Sequence, residues 1–423
     1  MKNIDSDAVR QFSRRRLLRF LAASPLVLAG TPLSRLLAQT VQKSRGTQAT
    51  RPDVRVDALI TKVEEALDVF DFEAVAKQIL PPAHFGYLAT GTDDDATVRA
   101  NREAFGRYQL RVRRLVNVAT LDTSVKLFGV SYETPIVLAP VSSQRAFHSE
   151  AESAVAKAAR AGNHLQILST ASSTAVETVN AARGEPVWFQ LYPTNEWDIT
   201  KALVARADAA GCPVLVLTVD NLGNNRVTQA RLSRQDPRNC ESCHARPSPR
   251  YFIARPMFSG LDTSRAMRVS PWDWNWDHIS RLRELTRMKI VVKGIVTGDD
   301  AQQARTHGVD GIIVSNHGGR AENSGRGAIE CLREVVEGAG SSMPVLVDSG
   351  FRRGTDIFKA LALGATAVCI GRPYVWGLAG FGQPGVEQVL SILRRELELA
   401  MRQAGTTSLG QIDTTYVVDR GRW

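Results

Sequence analysis

From residue 134 onward two kinds of segment alternate along the chain. Apolar runs of four to seven residues each end in a Gly-, Ser- or Asp-rich turn, and an Ala-rich amphipathic stretch follows. Short continuous apolar runs suit strands buried on both faces, and the stretches between them suit helices. The predicted strands are Pro135–Pro140, Leu165–Ser169, Val187–Tyr192, Val214–Asp220, Ile290–Gly294, Gly311–His317, Val345–Gly350 and Ala367–Arg372. Helical patterns such as Ala151–Ala161, Asp299–His307, Gly354–Leu363 and Gly385–Ala404 separate or follow them. Eight such units predict an α/β fold, a closed parallel (β/α)8 TIM barrel over residues 134–404. Upstream, residues 55–133 read as an N-terminal helical cap, with apolar positions at Val63, Leu67 and Phe70 and a break at Pro81-Pro82. The connection after the fourth strand, residues 221–275, is far longer than a barrel loop needs, and long loops are more often functional than idle. Residues 405–423 form a C-terminal tail.

Composition places the chain among globular proteins: 423 residues, 43% hydrophobic, with 32 Gly, 18 Pro and five Cys. Collagen-like, disordered and disulfide-scaffold classes are excluded. The formal charge is +10, but half of it sits in the first 38 residues, which carry seven Lys/Arg and two Asp. A second concentration lies at residues 226–268, with nine Arg against Asp236, Glu241 and Asp262. Charge confined to one patch of the mature chain argues against a nucleic-acid partner.

The front of the chain reads Ser13-Arg14-Arg15-Arg16-Leu17-Leu18, then the apolar stretch Phe20–Leu33, then small residues near Leu36-Leu37-Ala38-Gln39. This predicts a removable twin-arginine export signal over residues 1–38, a polar linker over 39–54 and a periplasmic location. A basic amphipathic helix or short membrane anchor is the alternative, disfavoured by Pro25 and Pro32. The twin-arginine route exports folded proteins, commonly around a cofactor.

In such barrels the active site lies at the C-terminal ends of the strands. Polar residues gather there: Gln190 and Tyr192 on the third strand, Thr218 and Asp220 on the fourth, Lys293 on the fifth, Ser315, Asn316, His317 and Arg320 at the sixth, Asp348 on the seventh and Gly371-Arg372 on the eighth. A lone His or Lys is usually structural or solvated. Convergence of several on one rim is not. Asp348-Ser349-Gly350-Phe351-Arg352-Arg353-Gly354 together with Ile370-Gly371-Arg372 has the form of a barrel phosphate site, where glycines admit backbone N–H groups and arginines add charge. FMN is the economical ligand. Gly380-Phe381-Gly382-Gln383-Pro384-Gly385 matches the dinucleotide fingerprint, but it follows a helical stretch and is read as a loop before the last helix, so a nicotinamide cofactor is disfavoured.

These residues resemble the FMN-dependent (S)-2-hydroxy acid oxidase and dehydrogenase family, which includes glycolate oxidase, lactate and mandelate dehydrogenases and flavocytochrome b2. The resemblance runs from about residue 65 to 410 and is strongest at Phe189-Gln190-Leu191-Tyr192, Thr218-Val219-Asp220, Val292-Lys293-Gly294, Ser315-Asn316-His317-Gly318-Gly319-Arg320, Asp348 to Leu363 and Ile370-Gly371-Arg372-Pro373. It implies His317 as the base with Asp220 stabilising its imidazolium, and Arg320 as the clamp on the substrate carboxylate. It implies Tyr192 and Tyr87 as phenols on substrate, and Lys293 as the cation beside the flavin where negative charge accumulates. For FMN it implies Pro140, Val141, Ser142, Ser169, Gln190, Thr218, Lys293, Ser315, Asp348, Gly350, Arg352, Gly371 and Arg372.

The chemistry fits those roles. A 2-hydroxy acid is an anion and needs a fixed cation, and its oxidation needs a base titrating near neutrality. Three departures bear on specificity. Arg226 stands one residue short of the family's usual spacing for a second carboxylate-binding Arg. Position 142 is Ser where many members have Ala or Gly beside the flavin N5. Position 171 is Ala where glycolate oxidase has a large aromatic, which implies a roomier pocket.

Within the long fourth loop, Cys240-Glu241-Ser242-Cys243-His244 has the form of a c-type haem attachment site, with a local disulfide or a metal-binding turn as alternatives. The remaining thiols, Cys212, Cys331 and Cys369, are expected to be buried and structural. The expected function is oxidation of an (S)-2-hydroxy acid, lactate-like or larger, to the 2-oxo acid with electrons passed to a quinone or cytochrome. An oxygen-consuming oxidase or monooxygenase, and a non-catalytic exported flavin- or acid-binding barrel, are the alternatives. A homo-oligomer is expected, and the basic loop suits an acidic electron acceptor or peripheral contact with an anionic membrane.

Overall fold

The computed structural model describes residues 59–236 and 250–422. The residues expected to form an export signal and a linker lie outside the described residues, as do Cys240, Cys243 and His244. Eight parallel strands appear in the order expected: β1 (Ile136–Leu138), β2 (Ile167–Ser169), β3 (Trp188–Leu191), β4 (Val214–Thr218), β5 (Lys289–Ile295), β6 (Gly311–Val314), β7 (Val345–Val347) and β8 (Ala367–Ile370). They pair in sequence, with β8 returning to β1. A parallel bridge between Leu138 and Gln166 closes the ring, so the fold is a TIM barrel.

Strand periodicity divides the apolar residues between two cores. Val137, Ile167, Trp188, Val216, Val291, Ile313, Leu346 and Cys369 face the barrel interior. Ile136, Leu168, Phe189, Leu215, Val292, Ile312, Val347 and Val368 face the surrounding helices. The N-terminal end of the barrel is plugged by a hairpin, Val125–Leu127 with Val130–Tyr132, whose Leu127 and Tyr132 join the interior cluster. Phe128 at its turn stands 5.5 Å from the Trp188 ring. With the bottom sealed, ligands have only the opposite mouth.

The structure departs from sequence expectation in several places. The segment before the barrel is not purely helical, because it holds this hairpin and a strand, Tyr108–Leu110, that pairs with Val417–Asp419 of the tail. Its first α-helix, α1 (Val69–Ile79), is set by Asp68, whose carboxylate accepts from the Phe70 N–H while Asp71 reaches back to the Asp68 N–H. That cap fixes the phase so that Val69, Phe72, Val75 and Ala76 are buried, whereas Leu67 is 83% exposed. Of the predicted face, Leu67 and Phe70 are therefore exposed, while Val63, in the preceding turn, packs against the core. Helix α2 (Pro82–Ala89) follows, with Pro82 at its first position, where the missing N–H is harmless. At the other end, Gly380–Gly385 is not a loop. Two helical segments within Arg372–Ala404 meet there without an open loop, across a kink at Gly382, whose φ of 62° no regular helix position adopts.

Candidate functional site

Two residues beyond each inward apolar side chain, strand parity presents another inward residue. That second layer reads Ala139, Ser169, Gln190, Thr218, Lys293, Ser315, Asp348 and Gly371. The barrel floor thus changes from apolar to polar in one step at its C-terminal mouth. An open cavity sits on this layer, lined by Tyr87, Pro140, Val141, Lys293, His317, Arg320, Asp348, Gly350, Arg352, Cys369, Gly371 and Arg372 among others.

The His317 ring is aimed by its backbone. His317, Gly318 and Gly319 take φ of 58°, 68° and 77°, a left-handed run that two glycines make affordable. Ser315 Oγ accepts from the His317 N–H at 3.0 Å, Ser349 Oγ from Gly318 and Asn316 Oδ1 from Gly319. Nδ1 of His317 lies 2.7 Å from Asp220 Oδ1. An ionised carboxylate only accepts, so Nδ1 carries the proton and the Nε2 lone pair faces the cavity side. Tyr192 OH meets that Nε2 at 3.0 Å. Burial pushes Asp220 up, but His317 and Lys293 outweigh it and hold the carboxyl below its usual range. Burial, reinforced by Asp220 and Tyr87, drives the Tyr192 phenol well up, which keeps it a donor.

Lys293 is 4% exposed; its Nζ donates to Ser315 Oγ at 2.7 Å and pairs with Asp348 at 3.2 Å. Burial alone would lower it; Asp348 and Asp220 overcome that and raise it, so the ammonium stays charged beneath the cavity. Ser142 Oγ and Tyr87 OH lie 2.9 Å apart, and Ser169 Oγ accepts from the Ala171 N–H.

The arginines divide their work. Arg320 donates to the Tyr87 and Thr90 carbonyls and to Gln229 Oε1, and its guanidinium lies 4.0 Å from the Tyr87 ring centroid. Arg372 donates to the carbonyls of Leu88, Gly318 and Thr90. Both therefore clip the C-terminal end of α2 over the barrel mouth, a role sequence reasoning did not find. Burial, then the like charge of Arg226, pushes Arg320 down to about 9. Arg352, buried with its guanidinium 4.6 Å from the Trp376 ring centroid, is pushed down to about 9 by burial and by Arg372 and Arg102. Arg226 presents a buried Nε with no hydrogen-bond partner among the described residues. Clustered, desolvated guanidiniums of this kind call for an anion.

The residues present fit FMN. Gln190 Oε1 and Nε2 and Thr218 Oγ1 are buried on the rim with no hydrogen-bond partner among the described residues, an unfilled set of donors and acceptors for a heterocyclic edge. At Gly371 an added Cβ would meet nothing closer than Val141 Cγ2, at an ordinary 3.8 Å, and this glycine lines the cavity together with Arg352. At Gly350, with φ 93°, a Cβ would collide with the Asn101 carbonyl.

Sequence reasoning also missed Trp376 beneath Arg352, and the pairing of Tyr251 with Arg255, whose guanidinium carbon lies 5.2 Å from that ring centroid. The arginine-rich run predicts a surface place for Arg255, yet it is 5% exposed. Its burial follows Phe252, Met257 and Phe258, which anchor that part of the loop in the core, and the alternation Phe252, Met257, Phe258 was the available signal. Cys212, Cys331 and Cys369 are buried free thiols, and Cys369 lines the cavity.

A family model described as FMN-dependent dehydrogenase matches residues 76–419. A peroxisomal (S)-2-hydroxyacid oxidase of Arabidopsis thaliana is 39% identical over 363 residues, covering 84% of this chain and 97% of that protein. An L-lactate oxidase of a Nostoc strain is 38% identical over 365 residues, covering 85% and 100%. Among solved structures, a lactate oxidase of Pediococcus acidilactici is similar with a TM-score of 0.75 at 31% identity, covering 84% of this chain and 95% of that one. A mandelate oxidase solved with benzoyl-formic acid is similar with a TM-score of 0.73 at 35% identity, covering 84% and 98%.

Proposed function

Because this chain belongs to the FMN-dependent 2-hydroxy acid oxidase and dehydrogenase family, we propose that it oxidises an (S)-2-hydroxy acid, lactate-sized or larger, to the 2-oxo acid with His317 as base. The observation that carries this reading is the chain Asp220–His317–Tyr192, at 2.7 and 3.0 Å, set on the same rim as Arg320 and Lys293. FMN, when bound, supplies the two-electron acceptor. Pro140 to Ser142, Ser169, Gln190, Thr218, Lys293, Ser315, Asp348, Gly350, Arg352, Gly371 and Arg372 would hold it.

The rest is done by side chains. Arg320 and Arg226 hold the substrate carboxylate, with Tyr87 beside them. The substrate hydroxyl takes the place near Nε2 that Tyr192 OH marks, and Nε2 accepts its proton. Asp220 stabilises the resulting imidazolium across a short buried hydrogen bond. Anaerobic mixing of the FMN-loaded protein with (S)-lactate and with (S)-mandelate tests the reading. Bleaching of the flavin absorbance that disappears in His317→Gln, with FMN still bound, supports it; unchanged bleaching in that variant refutes it.

For the electron acceptor we propose a quinone or cytochrome in the periplasm. The Arg-rich sequence before residue 20, read as an export signal, supports this, and so does an exposed surface where Arg268 stacks on Trp272, itself 71% exposed. Oxygen is the second reading, favoured by relatives whose names are oxidases. Stopped-flow mixing of the reduced protein with air-saturated buffer separates the two, since rapid reoxidation belongs to the oxidase.

A further inference from the structure

Ser349 stands in a conformation that serine avoids. Its φ is 76°, in the left-handed region that glycine enters freely and that a Cβ makes unfavourable. It is buried, lines the cavity and follows Asp348 in the turn after β7. Glycine would make the same turn without strain, so a serine held there points to a use for its side chain.

That use lies in its partners. Ser349 Oγ donates to Asp348 Oδ1 at 2.6 Å and accepts from the Gly318 N–H at 3.0 Å. Asp348 Oδ2 lies 3.2 Å from Lys293 Nζ, which donates to Ser315 Oγ at 2.7 Å, and the same Ser315 Oγ accepts from the His317 N–H at 3.0 Å. These contacts close a ring that starts at the amide of His317 and ends at the amide of Gly318, the next residue. Ser315, Lys293, Asp348 and Ser349 are all buried, so little water screens the charges inside it. Among the described residues, the Asp348 carboxylate has two side-chain partners, the Ser349 hydroxyl and the Lys293 ammonium.

We propose that Ser349 is a positioning residue for the reaction. By holding one oxygen of Asp348 it limits how far that carboxylate offsets the Lys293 ammonium, and by holding Gly318 it fastens the turn of His317 to the same pair. This rests on the FMN-dependent reading above and deepens it. Lys293 is the cation expected beside the flavin where negative charge gathers, so the more of its charge is left unopposed, the more the reduced cofactor is favoured. Without the hydroxyl, Asp348 turns its charge on Lys293 alone, and reduced FMN is held less tightly.

Ser349→Gly and Ser349→Ala separate the hydroxyl from the backbone strain. Both delete Oγ; glycine relieves the left-handed conformation, whereas alanine keeps it. The measurement is the two-electron midpoint potential of the FMN-loaded protein, equilibrated with a reference dye in the absence of any hydroxy acid. In both variants the affinity for reduced FMN should fall about tenfold relative to that for oxidised FMN, the weight of one hydrogen bond to a charged group. The potential should then drop by ~30 mV, with FMN content still stoichiometric in the strain-free Gly variant. A wild-type potential in Ser349→Gly, whether or not Ser349→Ala is altered, shows that the position serves the backbone alone and overturns the proposal. A rise in potential overturns it by sign, and loss of FMN from both variants overturns it by making Ser349 a cofactor ligand. Because no substrate is present, failure of 2-hydroxy acids to bleach the wild type would refute the reaction and leave the shift in potential standing. A wild type that holds no FMN overturns both.

Discussion

Replacing Asp220 with Asn removes one charge while keeping the shape of the side chain. In the wild type, Asp220 Oδ1 and His317 Nδ1 are 2.7 Å apart and their side chains are 8% and 22% exposed. When Nε2 takes the substrate proton the ring becomes cationic, and its charge centre then lies roughly 4 Å from that of the carboxylate. At an effective dielectric near 20, that pair is worth about 4 kcal/mol. The amide oxygen of Asn still accepts from Nδ1–H and returns about 1 kcal/mol as a neutral hydrogen bond. A net loss of about 3 kcal/mol corresponds to a fall of roughly 10²-fold or slightly more in the reduction rate. The orientation of the ring survives, because Ser315 and the two left-handed glycines hold it independently. FMN content should therefore stay stoichiometric while the rate constant for anaerobic flavin reduction drops. A variant within tenfold of wild type, with FMN fully bound, would refute the assignment of Asp220 as the counter-charge.

Arg320→Met should lower kcat/KM for carboxylate substrates by about 10²–10³ and spare neutral alcohols, since a buried charged hydrogen bond is lost; equal losses on both would contradict the clamp. The same variant releases the Tyr87 and Thr90 carbonyls, so its Tm in differential scanning fluorimetry should also fall. Gly350→Ala forces a Cβ onto the Asn101 carbonyl at φ 93°; either global destabilisation of about 2 kcal/mol or more, or loss of FMN, is expected, and a wild-type Tm with full FMN would contradict the geometry. His164 is held by burial down to about 4, with its Nδ1 near Thr134 Oγ1 at 3.0 Å and the Ile136 carbonyl. A base whose folded value is depressed contributes stability that is complete above its unfolded value near 6.5 and is lost as pH falls toward 4. Urea unfolding should thus weaken by an amount of order 3 kcal/mol across that window in the wild type, and markedly less in His164→Gln.

How much of this was open to reading from sequence follows a physical division between regular and irregular chain. The eight strands were legible because each is an apolar run between turn residues, and all eight occur where expected. Their inner layer was legible too, by parity: Val291 predicts that Lys293 points inward, Leu346 that Asp348 does, and Trp188 that Gln190 does. The interior plug was not, because Leu127 and Tyr132 sit on three-residue strands whose pattern is no different from a loop's. Nor was the stacking of Arg352 on Trp376, since that contact joins a turn after β7 to the helix after β8.

Loop four marks where periodicity ends and legibility ends with it. A run of arginines without helical or strand period reads as a solvated patch, yet Arg255 is buried and Arg268 lies on an exposed Trp272. Nothing in their spacing distinguishes them. The distinction comes from Phe252, Met257 and Phe258, whose burial drags Arg255 inward with them. Reaction chemistry in this fold is written on strand ends, where parity exposes it. The placement of loop four is decided by tertiary packing, so the reaction class could be read before the structure and the burial of Arg255 only after it.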